Sequence, residues 1–187
     1  MEGLSAHHTE KRDVMHQHIA AKLAQEGLAQ GGLVRLRVSG NSMAPLIESG
    51  DVVLVRHADP ESLHRGDLLL VEREGAFLVH RLVAIGARGI QTKGDNSSHA
   101  DLPVTPQAIL GRVVAVEKGG KRIELDEGRW PMVNRTLGLL GWCEARIFAL
   151  GRMIERKLAR GDGRWPRGLA SLGAAPFRWL TRLLIGR

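Results

Sequence analysis

The chain has 187 residues, 43% of them hydrophobic, and a formal charge of +7, which is enough for one compact domain with a substantial core plus an appendage. Its single cysteine, Cys143, excludes an internal disulfide and a zinc-thiolate cluster. The charge is uneven: residues 128–187 carry 12 Lys/Arg against 3 Asp/Glu, whereas residues 1–127 carry 15 against 17. Attraction to anionic lipid, nucleic acid or an acidic protein therefore belongs to the C-terminal third.

Residues 1–30 hold Glu, Lys, Asp and four His where a secretory leader would have an apolar run after a basic start, so no leader is expected. Val14, Ile19, Leu23 and Leu28 recur among polar residues and alanines, which predicts an amphipathic helix over Val14–Ala29 ended by Gly31-Gly32. From Leu33 to Leu125 the pattern changes to short β-rich runs: Val34–Val38, Val52–Arg56, Asp67–Glu72, Ala76–Ile85, Gly89–Thr92 and Gly111–Glu117. Gly50-Asp51, Gly66-Asp67, Glu74-Gly75 and Gly119-Gly120 punctuate them as turns. The expected fold is mainly β, a small curved β domain over residues 33–127 preceded by a helical segment, 1–32, and followed by a basic helical extension, 128–187.

Within the extension, Met132, Val133, Leu137, Leu140, Ile147, Leu150, Ile154 and Leu158 form a helical stripe weakened by Gly138, Gly141 and Gly151. A second basic segment, Trp165–Arg187, holds Trp165, Phe177, Trp179, Leu183, Leu184 and Ile185. Residues 130–187 suit an interfacial contact with a membrane surface, and equally a helical hairpin packed on the β domain or on another subunit. Neither apolar stretch is long enough to span a bilayer, because Glu144 and Arg146 interrupt one and Arg178 and Arg182 the other. The expectation is a cytoplasmic protein or one peripheral on the cytoplasmic membrane.

Ser42 follows Gly40-Asn41 and precedes Met43-Ala44-Pro45, so the chain turns after an apolar strand and presents a small hydroxyl beside backbone N–H groups. Acyl transfer needs that combination, together with a base delivered by a separate element. His80 lies in the strand Phe77–Val83, where a buried imidazole needs a partner. Asp95 and Asp101 follow in a polar loop, and either carboxylate is suited to fixing the imidazole tautomer. Lys93 is an alternative base, though its place beside the Gly94 turn predicts exposure. The other histidines, His7, His8, His16, His18, His57, His64 and His99, do not form a compact ligand set with carboxylates at helical spacing, so neither metal nor cofactor is expected.

Taken in order, Ser42-Met43-x-Pro45, Gly50-Asp51-Val-Val, His80-Arg81, Lys93-Gly-Asp-Asn96 with Asp101, and Leu110-Gly-Arg-Val-Val114 resemble the boxes of type I signal peptidases and the related LexA-type self-cleavage domains. The resemblance covers about residues 33–118. It implies a serine peptidase with Ser42 as nucleophile and His80 as base, in the manner of the endoplasmic-reticulum, archaeal and sporulation-type signal peptidases. The third residue maps to Asp101, with Asp95 as the neighbouring acidic position. Ser39, Asn41 and Met43 are the expected oxyanion and substrate-binding positions. Asn41 makes the motif S-G-N-S-M, where signal peptidases read S-G-S-M, a spacing closer to the LexA-type domains and one that displaces Ser39.

The implied activity is cleavage of a leader or precursor peptide, with a peptide or preprotein as partner and no specific nucleic acid. A self-cleaving regulator of the LexA type and a non-catalytic interaction module are the alternatives. No oligomeric state is implied.

Overall fold

The computed structural model describes residues 26–158, except 29 and 74, and residues 180–185, except 182. The expected helix over 14–29 lies mostly outside the described residues; 26–28 are helical, and Gly31 turns the chain with φ of 75°. Most of Trp165–Arg187 also lies outside them.

Among the described residues, seven antiparallel strands form one sheet: β1 (Leu33–Arg37), β2 (Val52–Arg56), β3 (Leu68–Arg73), β4 (Ala76–Gly86), β5 (Gly89–Lys93), β6 (Ile109–Lys118) and β7 (Lys121–Glu124). The order is β1-β2-β6-β3-β4-β5, and β7 pairs with β6. The fold is mainly β, as expected. β7 is an addition: Lys121-Arg-Ile-Glu carries too little apolar pattern to announce a strand, and the Gly119-Gly120 turn creates it. Both glycines have positive φ, the conformation that lets a two-residue loop match strand twist.

The sheet buries both faces where β3 runs. Leu68 and Leu70 join a core with Leu46, Ile47, Val53, Val55, Val113 and Val116, whereas Leu69 and Val71 join a second cluster with Leu82, Ile90 and Ile109. A strand buried on both faces loses the polar alternation of a half-exposed one, which explains the continuous apolar run Leu68–Val71.

The long helix α1 (Trp130–Leu158) spans 29 residues and packs against β4. Gly138, which weakens the helix intrinsically, lets it dock: a Cβ there would lie 2.6 Å from the Gly66 nitrogen. Gly66 in turn has φ of 106°, and a Cβ on it would lie 2.4 Å from the Asn134 carbonyl oxygen. Helix and turn thus meet backbone to backbone, an approach that only glycine permits. Gly138→Ala is expected to lower stability by roughly 1–3 kcal/mol, the usual cost of overpacking, as a reduced urea midpoint with an unchanged denaturant slope. An unchanged midpoint would show that the helix does not hold this contact in solution.

Candidate active site

Ser42 lies in the connection between β1 and β2, which is tied down from several sides. Met43, Leu46 and Ile47 are buried beneath it. Asn41 Oδ1 accepts the Ser49 N–H at 2.9 Å, and the Ser39 carbonyl accepts the Ser49 hydroxyl. Val38 N–H donates to the Asp51 carbonyl at 2.8 Å, closing the base of the loop. Lys118 Nζ donates to the Pro45 carbonyl at 2.8 Å. Ser42 itself remains exposed.

His80 sits on β4, between β3 and β5, opposite Leu69 in the register. Its Nε2 lies 3.0 Å from Ser42 Oγ and its Nδ1 lies 2.6 Å from Asp101 Oδ2. The same carboxylate oxygen accepts the Thr92 hydroxyl at 2.7 Å, and the Asp101 N–H donates to the Thr92 carbonyl at 2.8 Å. Burial pushes the Asp101 carboxyl up, but the hydrogen bond and charge of His80, the Thr92 hydroxyl and the Arg73 charge outweigh it, so its pKa is lowered. Asp101 is therefore an anion at neutral pH. It favours the tautomer in which Nδ1 carries the proton and donates to it, leaving Nε2 free to accept from Ser42 Oγ.

The loop after β5 closes the site. Asn96 N–H donates to the Ser42 carbonyl at 2.8 Å, and Asn96 Nδ2 to the Asn41 carbonyl at 3.3 Å. Gly94 lies so close that a Cβ would stand 2.7 Å from the Ser42 carbonyl and 3.2 Å from His80 Nε2. Beside Ser42, the segment Leu36–Gly40, Met43 and the strand residues Phe77–Val79 line a mainly apolar cleft of about 230 Å³.

The two acidic candidates part company here. Asp95 does not reach His80; it receives Arg81 Nε at 2.8 Å and Nη2 at 2.7 Å as a bidentate pair. The reason is strand alternation, which sends adjacent residues to opposite faces. β4 and β5 pair Arg81 with Lys93 and Leu82 with Thr92, so His80 and Thr92 meet Asp101 on one face while Arg81 and Lys93 turn to the other. Expected exposure of Lys93 is corrected likewise: it is 2% exposed, and its Nζ lies 2.7 Å from Glu144 Oε2 of α1. Ammonium and carboxylate are thus held behind the site rather than in it.

Of the other sequence candidates, Met43 is a core residue that only lines the cleft floor. The Asn41 carboxamide oxygen is engaged in holding the loop. Ser39 stays exposed and lines the cleft. Thr92, Gly94, Asn96 and the α1 residues Asn134 and Glu144 received no role from sequence. The Lys93-Gly-Asp-Asn96 motif carried a signal for Gly94 and Asn96; the helix residues had none, being polar interruptions of an apolar stripe. Among the described residues, no group of three or more His, Cys, Asp or Glu side chains converges on a common point.

The chain matches the Peptidase S24-like family model over residues 6–114. It belongs to that family. The match begins ahead of β1 and ends within β6, so β7 and α1 lie beyond it. No individual curated protein matches the chain. Membership in the S24-like family supports a serine peptidase or a self-cleaving LexA-like function, and the family also includes non-catalytic members. Among the described residues of this S24-like protein, no helix is long and apolar enough to cross a membrane.

Removing one member of the buried Lys93–Glu144 pair leaves an uncompensated charge, so Glu144→Leu and Lys93→Met each should cost roughly 3–5 kcal/mol, and the double variant should recover most of it. Additive losses in a denaturation cycle would rule out the pairing. Because folding lowers the Asp101 pKa, its contribution to stability is present above the ordinary carboxylate value, about 3.9, and fades as pH falls through the lowered value. The stability gap between wild type and Asp101→Asn is therefore expected to shrink below about pH 4, measured by urea unfolding across pH.

Proposed function

We propose that this protein is a serine endopeptidase that cleaves a leader or precursor peptide in trans, through Ser42, His80 and Asp101. The observation that carries the reading is the continuous chain from Ser42 Oγ through both His80 nitrogens to Asp101, with spacings of 3.0 and 2.6 Å, opening beside an apolar cleft. A structural serine would not need an exposed hydroxyl aligned on a buried, carboxylate-held imidazole.

In this mechanism Ser42 Oγ attacks the scissile carbonyl carbon as its proton passes to His80 Nε2. The resulting imidazolium is stabilised by the Asp101 anion at Nδ1. The Ser42 N–H is one donor to the oxyanion. As the C–N bond breaks, Nε2 returns the proton to the leaving amine and an acyl-enzyme remains. Water then attacks the ester, giving its proton to Nε2, and Ser42 leaves reprotonated. Asp95 takes no proton in this scheme; it holds Arg81. The cleft, at about 230 Å³, is below the roughly 300–1,000 Å³ of a small-molecule site and suits small apolar side chains before the cut, as in Ala-x-Ala sequences.

Intact-mass spectrometry with a serine-directed acylating probe and an Ala-x-Ala peptide library tests the reading. Wild type is expected to form a single adduct and cut, Ser42→Ala to do neither, and Asp101→Asn to lose on the order of 10⁴ in kcat while remaining folded. Full cleavage by Ser42→Ala would sink the proposal. Release of an N-terminal fragment at a rate independent of protein concentration, and absent in Ser42→Ala, would identify self-cleavage instead.

A further inference from the structure

Helix α1 has two faces that differ in what covers them. Asn134, Leu137, Gly138 and Glu144 are buried against the sheet and the Gly66 turn. A second row, at positions 132, 136, 139, 143, 147, 150 and 154, advances by three or four residues and so follows one side of the helix for about 33 Å. It reads Met, Thr, Leu, Cys, Ile, Leu, Ile. Met132 is 76% exposed, and Leu139, Ile147, Leu150 and Ile154 are each exposed by 44% or more. Met153 beside them is also exposed, and so are Arg135 and Arg146 on the row bordering the stripe. Arg146 lies over the Trp142 ring, 5.2 Å from its centroid.

We infer that this stripe is an interfacial surface that lies on an anionic lipid bilayer, with α1 parallel to the membrane plane. A contiguous apolar strip left in water is costly and marks a contact site. Charge selects the occupant. The two acids of α1 do not lie along the stripe to oppose its arginines across a self-association, since Glu144 is buried on Lys93 and Glu155, about three turns further on, falls on the same side of the helix as Glu144. A second copy would therefore bring Arg135 and Arg146 against their own kind, whereas anionic headgroups neutralise them. Nucleic acid would satisfy the arginines but leave the aliphatic row in water. Lipid satisfies both, with aliphatic side chains at the acyl boundary and arginines at headgroup level. The 12 Lys/Arg against 3 Asp/Glu of residues 128–187 give the same sign over the whole segment. Because the buried face of α1 holds Lys93 and Asn134 holds Arg81, a membrane-bound helix would carry the Ser42 site with it to the surface.

Vesicle flotation of the full chain tests this, with phosphatidylcholine alone and phosphatidylcholine containing phosphatidylglycerol. Wild type is expected to float only with the anionic vesicles, less so as salt rises. Ile147→Glu with Leu150→Glu should weaken binding at least about tenfold, and Arg135→Ser and Arg146→Ser about fivefold each, with the folded circular-dichroism spectrum retained. Flotation unchanged by Ile147→Glu with Leu150→Glu would overturn the inference, since binding would then reside elsewhere in the basic segment. So would a folded protein that does not float, or a dimer seen by light scattering that the same double variant dissolves without any lipid binding. Ser42→Ala is expected to float as wild type does, so the lipid contact and the peptidase reading fail separately.

Discussion

The two-residue period of antiparallel strands is the constraint on which the site depends. β4 and β5 lie side by side with Arg81 opposite Lys93 and Leu82 opposite Thr92. His80 and Thr92 consequently share one face with Asp101, while Arg81 and Lys93 share the other with α1. A slip of one residue in this register would exchange the two sets completely. The pairing of β3 with β4 over six residues, with Leu69 and Leu82 locked into one cluster, opposes such a slip. The geometry around Ser42 is thus secured by apolar packing on neighbouring residues.

The reverse face supplies polar anchors. Arg81, 1% exposed, spends its guanidinium on Asp95, the Gly66 carbonyl and Asn134 Oδ1. Lys93 spends its ammonium on Glu144 and the Gly94 carbonyl. Buried ion pairs contribute little net stability, because desolvation offsets their attraction, but breaking one is costly. Among the described residues, Glu144 Oε1 is buried without a hydrogen-bond partner, so the pair is not fully satisfied. Such an arrangement specifies position more than it stabilises. It ties α1 to the residues next to His80 and next to Gly94, so an element beyond the family match forms the rear wall of the site.

That role makes sense of a helix carrying glycines at 138 and 141. Both face the sheet, where Gly138 meets the Gly66 backbone and a Cβ on Gly141 would stand 3.2 Å from Val83. Each lowers helix propensity by about 1 kcal/mol relative to alanine, which close packing of the buried face offsets. The opposite side is under no such constraint and keeps long aliphatic side chains in the open. One helix therefore holds the rear of the Ser42 site and presents a surface of different chemistry.

Much of this was legible in the residues. Apolar runs broken by glycine turns located six of the seven strands within about two residues, and the ordered boxes located Ser42, His80 and the loop bearing both aspartates. β7 escaped because four mixed residues gain strand character only from a hairpin and a partner. The sequence by itself determined the element types and the residues able to do chemistry, since both follow from local periodicity and side-chain type. Only the tertiary structure decided which aspartate faces His80, that Lys93 is buried on Glu144, and which helix face is covered. Those outcomes depend on strand register and on contacts between residues far apart in the chain, and no local pattern encodes them.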